Sequence, residues 1–387
     1  MDPTLYLTQN IYESELQRMI DTNQHDSDMF HFHREGKFPE ASRDVEHVVT
    51  GPQYPLFGTP NRGVEYHYFK DTNYVFKNKQ YFDQHVEKFF KLCDRHFTSQ
   101  ENVDLYLYMF RAVSKVLNDF LVFGSYEFPY KDQLTNQQYK SIHTDGSYAI
   151  LSHSAPESVR TIPQVQRVVN KKFDTSALLE HQYRYDGLIT QAFRNQSKMK
   201  HFNEFLSTFF SAVAPPSFCT AFSILRVRHP TLFGTIDIEP REKTYTELMD
   251  LLPEVMNLME ETHRIMPSTP VVRPRRVTRD DVGLDKGTHV LPCPRLHNRN
   301  PNVFTEPDQF CPGRTTRAYP YGNHVRSCYA KGLMECTLFL FSVYFLKYLK
   351  VTPHHVEDFE HDLQVKVFAV PKVQLLVDVV NTFSQKH

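Results

Sequence analysis

The chain has 387 residues, and its 44 Lys and Arg nearly match its 45 Asp and Glu, giving a net charge of −1. This balance argues against a nucleic-acid binder, which usually has a basic surplus or a basic face. Six irregularly spaced cysteines do not describe the disulfide framework of a small secreted protein, so we expect reduced thiols in an intracellular protein. The 31 Phe and 21 Tyr predict an aromatic core, and such interiors also suit bulky apolar ligands.

The first ten residues are polar, so neither a signal peptide nor an N-terminal membrane anchor is expected. One apolar stretch, residues 333–349, contains Glu335 and Lys347. These two charges favour a buried helix over a membrane span. We therefore predict that any membrane contact is at most peripheral.

The N-terminal part predicts a short helix over 12–20 and strands around 28–38. From Gln80 onwards the pattern becomes helical. Apolar residues recur at helical spacing in two runs, Phe82, Val86, Phe89, Phe90 and Cys93, then Leu105, Leu107, Phe110, Val113 and Leu117.

The middle of the chain, residues 124–200, is polar and indicates helices joined by loops. Residues 202–225 indicate a long apolar helix with a kink at Pro215 and Pro216, because proline removes a backbone hydrogen bond inside a helix. An amphipathic helix is predicted over 244–266.

Proline is dense over residues 267–320, where Phe, Val and Leu remain frequent, so we predict an irregular but structured segment there. A final helix is predicted from about Cys328 to Leu349. Short strands over 365–368 and 373–377 close the chain. These patterns predict a mainly α-helical protein with small β-sheets.

The segment Tyr321–Cys328 joins a Gly turn to an Arg and then to a Cys that opens an apolar helix. The positive end of a helix and its free N–H groups favour the thiolate form of Cys328. A thiolate held in this way is what the axial ligand of a haem iron requires. Arg326 is placed to pair with a haem propionate. These residues alone leave one alternative open, a buried free cysteine at a helix start.

A second set of potential ligands lies near the N-terminus. His31 and His33 would share one face of a strand, close to His25 and Asp28, and this spacing suits a metal ion. Surface histidines are the simpler interpretation. Gly-rich phosphate loops, Gly-x-Ser-x-Gly elbows and His-Glu-x-x-His helices are missing from the sequence.

Glu261 and Arg264 lie three residues apart on one face of a predicted helix, and a proline-rich stretch with Arg314 separates them from Cys328. The Glu-Arg pair, the stretch with Arg314 and the Cys328 segment, in this order, resemble the cytochrome P450 superfamily. The resemblance extends over nearly the whole chain. The resemblance implies one haem-thiolate domain over residues 1–387, mainly α with small β-sheets. Haem would lie between a long distal helix and the Cys328 loop with its proximal helix. Glu261, Arg264 and Arg314 would form a buried structural triad.

The resemblance also implies a cofactor site, in which Cys328 is the axial ligand of the haem iron. The further cofactor-binding residues that it implies are Arg273, Tyr321, Gly322 and Arg326. Residues 29–49 resemble the first sheet hairpin of the family. The distal helix would bring Ser211, Ala212, Val213 and Ala214 near the haem, with no catalytic residue assigned.

Residues 211–218, followed by Arg228-His229-Pro230, resemble the group that contains prostacyclin synthase and the sterol 7α- and 12α-hydroxylases. The sequence departs from the family pattern at several points. Tyr321 stands where the family usually has Phe, and His324 and Ala330 stand where it usually has Gly. Val213 stands where the distal helix usually has Thr.

Three functions are left open. The first is monooxygenation of a hydrophobic lipid, sterol-like or eicosanoid-like, with electrons from an NADPH flavoprotein reductase. The second is reductant-independent isomerisation of a lipid peroxide. The third is a non-catalytic haem-binding carrier or a decayed relative. The resemblance implies a monomer that is soluble or peripheral to the endoplasmic reticulum.

Overall fold

The computed structural model describes residues 4–5, 79–140, 176–195, 199, 202, 206, 209, 214–269, 275–276, 289–290, 294–318, 320–321, 328, 330–361, 363–365 and 369–383. The predicted helix over 12–20, the strands around 28–38 with the 29–49 hairpin, and the His25–His33 cluster lie outside these residues.

Helices make up most of the described chain. They are α1 (Lys79–Asp83), α2 (Val86–His96), α3 (Leu105–Leu117), α4 (Lys131–Lys140), α5 (Ser176–Glu180), α6 (Leu188–Asn195), α7 (Pro215–Arg228), α8 (Pro230–Phe233), α9 (Tyr245–Leu251), α10 (Pro253–Ile265), α11 (Pro294–His297) and α12 (Lys331–Tyr348). A π-helix, Asn118–Phe123, continues α3. Short 3-10 helices cover Gln182–Arg184, Pro240–Glu242 and Val356–Glu360.

The strands are short and form small sheets. They are β1 (Thr4–Leu5), β2 (Gln100–Asp104), β3 (Arg275–Arg276), β4 (His289–Val290), β5 (Leu349–Pro353), β6 (Leu363–Val365), β7 (Ala369–Pro371) and β8 (Leu376–Asn381). β8 pairs antiparallel with both β2 and β5, β6 pairs antiparallel with β7, and β4 lies between β1 and β3. The predicted fold class, mainly α with small sheets, is confirmed.

The strand bounds near the C-terminus differ from those predicted. Residues 373–375 precede β8, which begins at Leu376. Val365 lies in β6, and residues 366–368 of the predicted strand lie outside the described residues. Alternate residues of β8 are buried, including Val377 and Val379, and its register pairs Val379 with Val351 of β5. Burial of every second residue is the pattern of a strand that packs one face against the core.

The core is aromatic, and most of the largest fully buried side chains are phenylalanines. Phe89 packs edge-on against Phe120 and Phe341, with ring centroids 5.1 and 4.8 Å apart. These rings join α2, the π-helix and α12. Edge-to-face packing stabilises aromatic pairs beyond the area that they bury. The periodic run predicted for α2 is confirmed, since its apolar residues face this core.

α12 is buried on nearly all sides, as expected for a helix that is hydrophobic all round. Among the helices that the structure describes, none combines the length and apolarity needed to cross a membrane. The prediction of a buried helix over this stretch is confirmed. α12 starts at Lys331, however, so Cys328 lies before the helix and does not open it.

Two other predicted helices have different bounds because of proline. The helix predicted over 244–266 is two helices, separated at Leu252. The residue before a proline avoids helical geometry, and Pro253 therefore starts α10. Likewise, α7 starts at the proline pair, where a missing N–H costs no helical hydrogen bond. Upstream of Ala214 the chain is described only at single positions.

A close backbone contact joins the start of α6 to the π-helix. The Gly187 amide donates to the Val122 carbonyl oxygen at 3.0 Å, and the Thr190 hydroxyl donates to the same oxygen at 2.9 Å. A Cβ atom on Gly187 would lie 2.4 Å from the Val122 nitrogen and 2.5 Å from the Leu121 carbonyl carbon. These are backbone atoms, so they cannot rotate away.

We predict that Gly187→Ala destabilises the fold by roughly 3 kcal/mol, the upper end of the usual overpacking cost. Gly234→Ala is the control, because Gly234 has a positive φ of 55° but nothing within 4 Å of its Cβ position. With a φ of 55° and a ψ of −166°, Gly234 has a backbone conformation that essentially only glycine adopts, so this substitution should cost roughly 1–3 kcal/mol through the backbone alone. Urea denaturation measures both losses, and a Gly187→Ala variant as stable as the wild type would contradict the contact.

Candidate functional site

α10 presents Glu261 and Arg264 on one face, and the two side chains form a bidentate ion pair. Arg264 Nε lies 2.8 Å from Glu261 Oε2, and Nη2 lies 2.7 Å from Oε1. Arg314 Nε adds a third contact to Oε1 at 3.0 Å, and the Cys311 amide donates to the same oxygen at 2.8 Å. Two guanidinium groups and one backbone amide therefore neutralise a carboxylate that is only 3% exposed.

The two arginines also donate to backbone carbonyl groups of the segment between α11 and Arg314, which we call the meander. Arg264 donates to the carbonyl oxygens of Asn298, Pro307 and Gln309 at 2.6–2.8 Å. Arg314 donates to those of Thr305, Glu306 and Gln309. Arg264 is 1% exposed, so these carbonyl groups, together with Glu261, replace its lost hydration. The meander is thereby fastened onto α10.

Cys328 lies three residues before α12. Its amide donates to the Tyr321 carbonyl oxygen at 2.8 Å, and its own carbonyl oxygen accepts from the Lys331 amide at 3.2 Å. The first bond ties Cys328 to Tyr321, and the second joins Cys328 to the start of α12. The Cys328 side chain is exposed.

The remaining described cysteines differ from Cys328. Cys93, Cys219 and Cys336 are buried in helices, and burial raises the pKa of Cys93 and Cys219 well above the usual thiol value. A buried apolar thiol is chemically inert, whereas a thiol at the positive end of a helix favours its thiolate. Cys311 is partly exposed, but it belongs to the Glu261 cluster.

Several predicted haem contacts fall outside the described residues, namely Arg273, Gly322, Arg326, Ser211, Ala212 and Val213. Ala214 precedes α7 and is half-buried. The structure brings Tyr321 and Cys328 together through a backbone hydrogen bond, and it places Glu261, Arg264 and Arg314 in one cluster. An exposed thiol ahead of an 18-residue helix is a donor that fits a haem iron.

His263, on α10, is a buried polar residue next to this site that sequence reasoning missed. It is 7% exposed, and its Nε2 lies 3.4 Å from the Tyr321 hydroxyl. Burial lowers the pKa of His263 to about 3, so its imidazole is neutral at pH 7. Burial also raises the pKa of Tyr321, which keeps the phenol protonated. The available signal was a histidine two residues from Glu261, which places it on the opposite side of the helix.

Comparison with known proteins shows what this chain is similar to. The family model of cytochrome P450 matches residues 238–379, which include α9, α10, the meander, Cys328 and α12. Cheilanthifoline synthase from Eschscholzia californica is 34% identical over 96 residues, an alignment that covers 20% of this chain and 20% of that protein. The match therefore spans about a fifth of the relative's length.

Solved structures match over nearly the whole chain. A zebra fish cytochrome P450 determined with progesterone has a TM-score of 0.69 at 18% identity, covering 95% of this chain and 92% of that one. The haem domain of P450DA has a TM-score of 0.66 at 15% identity, with 96% and 86% covered. P450BioI, in complex with an acyl carrier protein ligated to hexadec-9-enoic acid, has a TM-score of 0.62 at 14% identity, with 96% and 91% covered.

These structures share the cytochrome P450 fold. Residues 238–379, which contain the candidate site, match the cytochrome P450 family model, and the described chain has the cytochrome P450 fold. Haem is the cofactor of that family, and the exposed Cys328 thiol fits it.

We predict that Glu261→Gln lowers the free energy of unfolding by roughly 3–5 kcal/mol, because it leaves two arginines without their shared carboxylate. The neighbouring Glu260→Gln is the matched control. Glu260 lies 3.5 Å from Arg317, with side-chain exposures of 37% and 73%, and exposed pairs contribute about 0–1 kcal/mol. Denaturant titration of both variants measures the difference. A Glu261→Gln variant as stable as Glu260→Gln would rule out a structural role for the cluster.

Proposed function

We propose that this chain is a haem-thiolate monooxygenase that hydroxylates a hydrophobic lipid, with Cys328 as the axial ligand of the haem iron. The observation that supports this most is the exposed Cys328 thiol, tied through its backbone to Tyr321 and to the start of α12. When bound, haem supplies the oxidation chemistry. The chain supplies the thiolate, the orientation of the bound molecules and a pocket that excludes water.

The resemblance to the family assigns further roles around Cys328. Arg326 and Arg273 would each pair with a haem propionate by charge-assisted hydrogen bonds. Gly322 would let the loop approach the cofactor closely, since it has no side chain. Glu261, Arg264 and Arg314 would hold the meander in place without contacting substrate. Breaking that cluster would therefore reduce the folded, haem-loaded fraction and leave substrate preference unchanged.

A hydrophobic lipid is the substrate class that agrees best with the chain. Its described interior is rich in aromatic side chains. One structure of the same fold was determined with progesterone and another with an acyl carrier protein that carries hexadec-9-enoic acid, and both the steroid and the fatty acyl chain are apolar. We propose a sterol-like or eicosanoid-like substrate, an NADPH flavoprotein reductase as electron donor, and a monomeric enzyme.

One observation favours a second reaction, the rearrangement of a lipid peroxide without reductant. Oxygen activation in this family commonly relies on a Thr hydroxyl on the distal helix to relay protons. Here Val213 and Ala214 cannot relay a proton. Ser217, on the next turn, is 1% exposed and lies against the Tyr106 phenol. A peroxide substrate already has a reduced O–O bond, so it does not need this relay.

We predict that Cys328→Ser abolishes the strongly red-shifted Soret band that the reduced, haem-loaded protein gives with carbon monoxide. Cys311→Ser is the control, because Cys311 is the other described cysteine that is not fully buried. It should keep the band, since Cys311 contacts the Glu261 cluster through its backbone amide. A Cys328→Ser protein that retains the red-shifted band would show that another residue ligates the iron.

We also predict NADPH-dependent hydroxylation of a sterol when the haem-loaded protein is reconstituted with a flavoprotein reductase. A parallel assay offers a lipid endoperoxide without reductase or NADPH. Isomerisation in that assay, with no hydroxylation in the first, would favour the peroxide isomerase. Inactivity in both assays, with the thiolate band intact, would favour a non-catalytic carrier or a decayed relative.

A further inference from the structure

We propose that His263 is a positioning residue for Cys328, because its imidazole hydrogen-bonds the Tyr321 hydroxyl and so holds in place the residue whose carbonyl oxygen binds the Cys328 amide. This inference rests on the proposed role of Cys328 as the haem ligand. It adds α10 to the segments that determine where the thiol lies.

The position of His263 on α10 separates it from the Glu261 cluster. Residues two apart on a helix differ by about 200° around its axis, so His263 faces away from Glu261. On that side its ring lies 4.4 Å from the Phe218 ring of α7, centroid to centroid, with an interplanar angle of 36°. One turn of α10 thus holds the meander on one side and contacts α7 on the other.

Tyr321 contacts His263 through its side chain and Cys328 through its backbone. The phenol oxygen lies 3.4 Å from His263 Nε2, and the two ring centroids are 5.5 Å apart at 68°. The Tyr321 carbonyl oxygen accepts the Cys328 amide at 2.8 Å. A path of two hydrogen bonds therefore leads from α10 to the residue that bears the thiol.

The direction of the first bond depends on the tautomer of His263. A neutral imidazole has one donor and one acceptor nitrogen, and a phenol can both donate and accept. His263 Nε2 therefore either accepts from the Tyr321 hydroxyl or donates to its oxygen. A buried phenol without a partner would leave an unsatisfied donor, which is costly. His263 thus satisfies the hydroxyl that distinguishes Tyr321 from the Phe usual at this position.

The test measures how fast the thiolate is lost. In the reduced, haem-loaded carbonyl complex, mild denaturant converts the red-shifted band to the shorter-wavelength band of protein without thiolate ligation. His263→Leu should speed this conversion about fivefold, the factor expected for one neutral hydrogen bond. His263→Gln should stay near the wild-type rate, because its side-chain amide can replace Nε2 either as acceptor or as donor.

Tyr321→Phe removes the same bond without leaving an unpaired hydroxyl, and it should also speed the conversion up to about fivefold. Tyr321→Phe therefore still tests the hydrogen bond if the His263→Leu variant does not fold. If the two residues act through one bond, the double variant should convert no faster than the faster single variant. If the acceleration in the double variant equals the product of the two single accelerations, the two residues act independently and the inference is overturned.

His297→Leu is the matched control, because His297 is another buried histidine, 5% exposed, whose ring lies against Phe304 rather than Tyr321. It should lower the melting temperature and leave the conversion rate unchanged. Equal acceleration by His297→Leu and His263→Leu would show a general stability effect and overturn the inference. So would equal rates for His263→Leu and wild type. A wild-type protein without the red-shifted band would instead overturn the proposed function itself.

Discussion

The carboxylate of Glu261 is the group on which the architecture of the site depends. A buried carboxylate is costly to remove from water unless charged donors replace its hydration, and here two guanidinium groups and the Cys311 amide do so. Each arginine then uses its remaining N–H groups on carbonyl oxygens of the meander. A single turn of α10 thereby fixes a segment that has little regular secondary structure of its own.

Cys328 is held in the same manner, by short backbone contacts rather than by a helix. Its amide bonds to Tyr321 and its carbonyl oxygen to Lys331, so both sides of the residue are tied down while the thiol stays exposed. The start of α12 provides a positive electrostatic potential close to that thiol. α12 is itself buried on nearly all sides. The position of the thiol therefore depends on the packing of the whole core.

Proline and aromatic residues determine the helices around the site. Pro215 and Pro253 begin α7 and α10, which fixes the register in which Phe218 meets His263. The same contact connects the helix predicted to lie over the cofactor with the helix that anchors the meander. A change on one side of the site can therefore affect the other through packed rings. Closely packed interiors transmit such changes because they leave few voids.

The sequence by itself determined the fold class, the resemblance to cytochrome P450 and the pairing of Glu261 with Arg264. Those features depend on local order and spacing, namely apolar periodicity, a three-residue helical interval and a cysteine ahead of an apolar helix. The break at Leu252 was decided by proline geometry, which the periodic pattern did not resolve, whereas the proline pair at the start of α7 was already predicted to interrupt its helix.

Only the tertiary structure decided which partners complete the site. The meander carbonyl groups that bind Arg264 are 34 to 45 residues away in the chain, and Tyr321 meets His263 across 58 residues. No local pattern specifies such contacts, because they arise when α10, the meander and α12 pack around one core. The neutrality of the His263 imidazole has the same origin, since it follows from burial and not from any neighbour in the sequence.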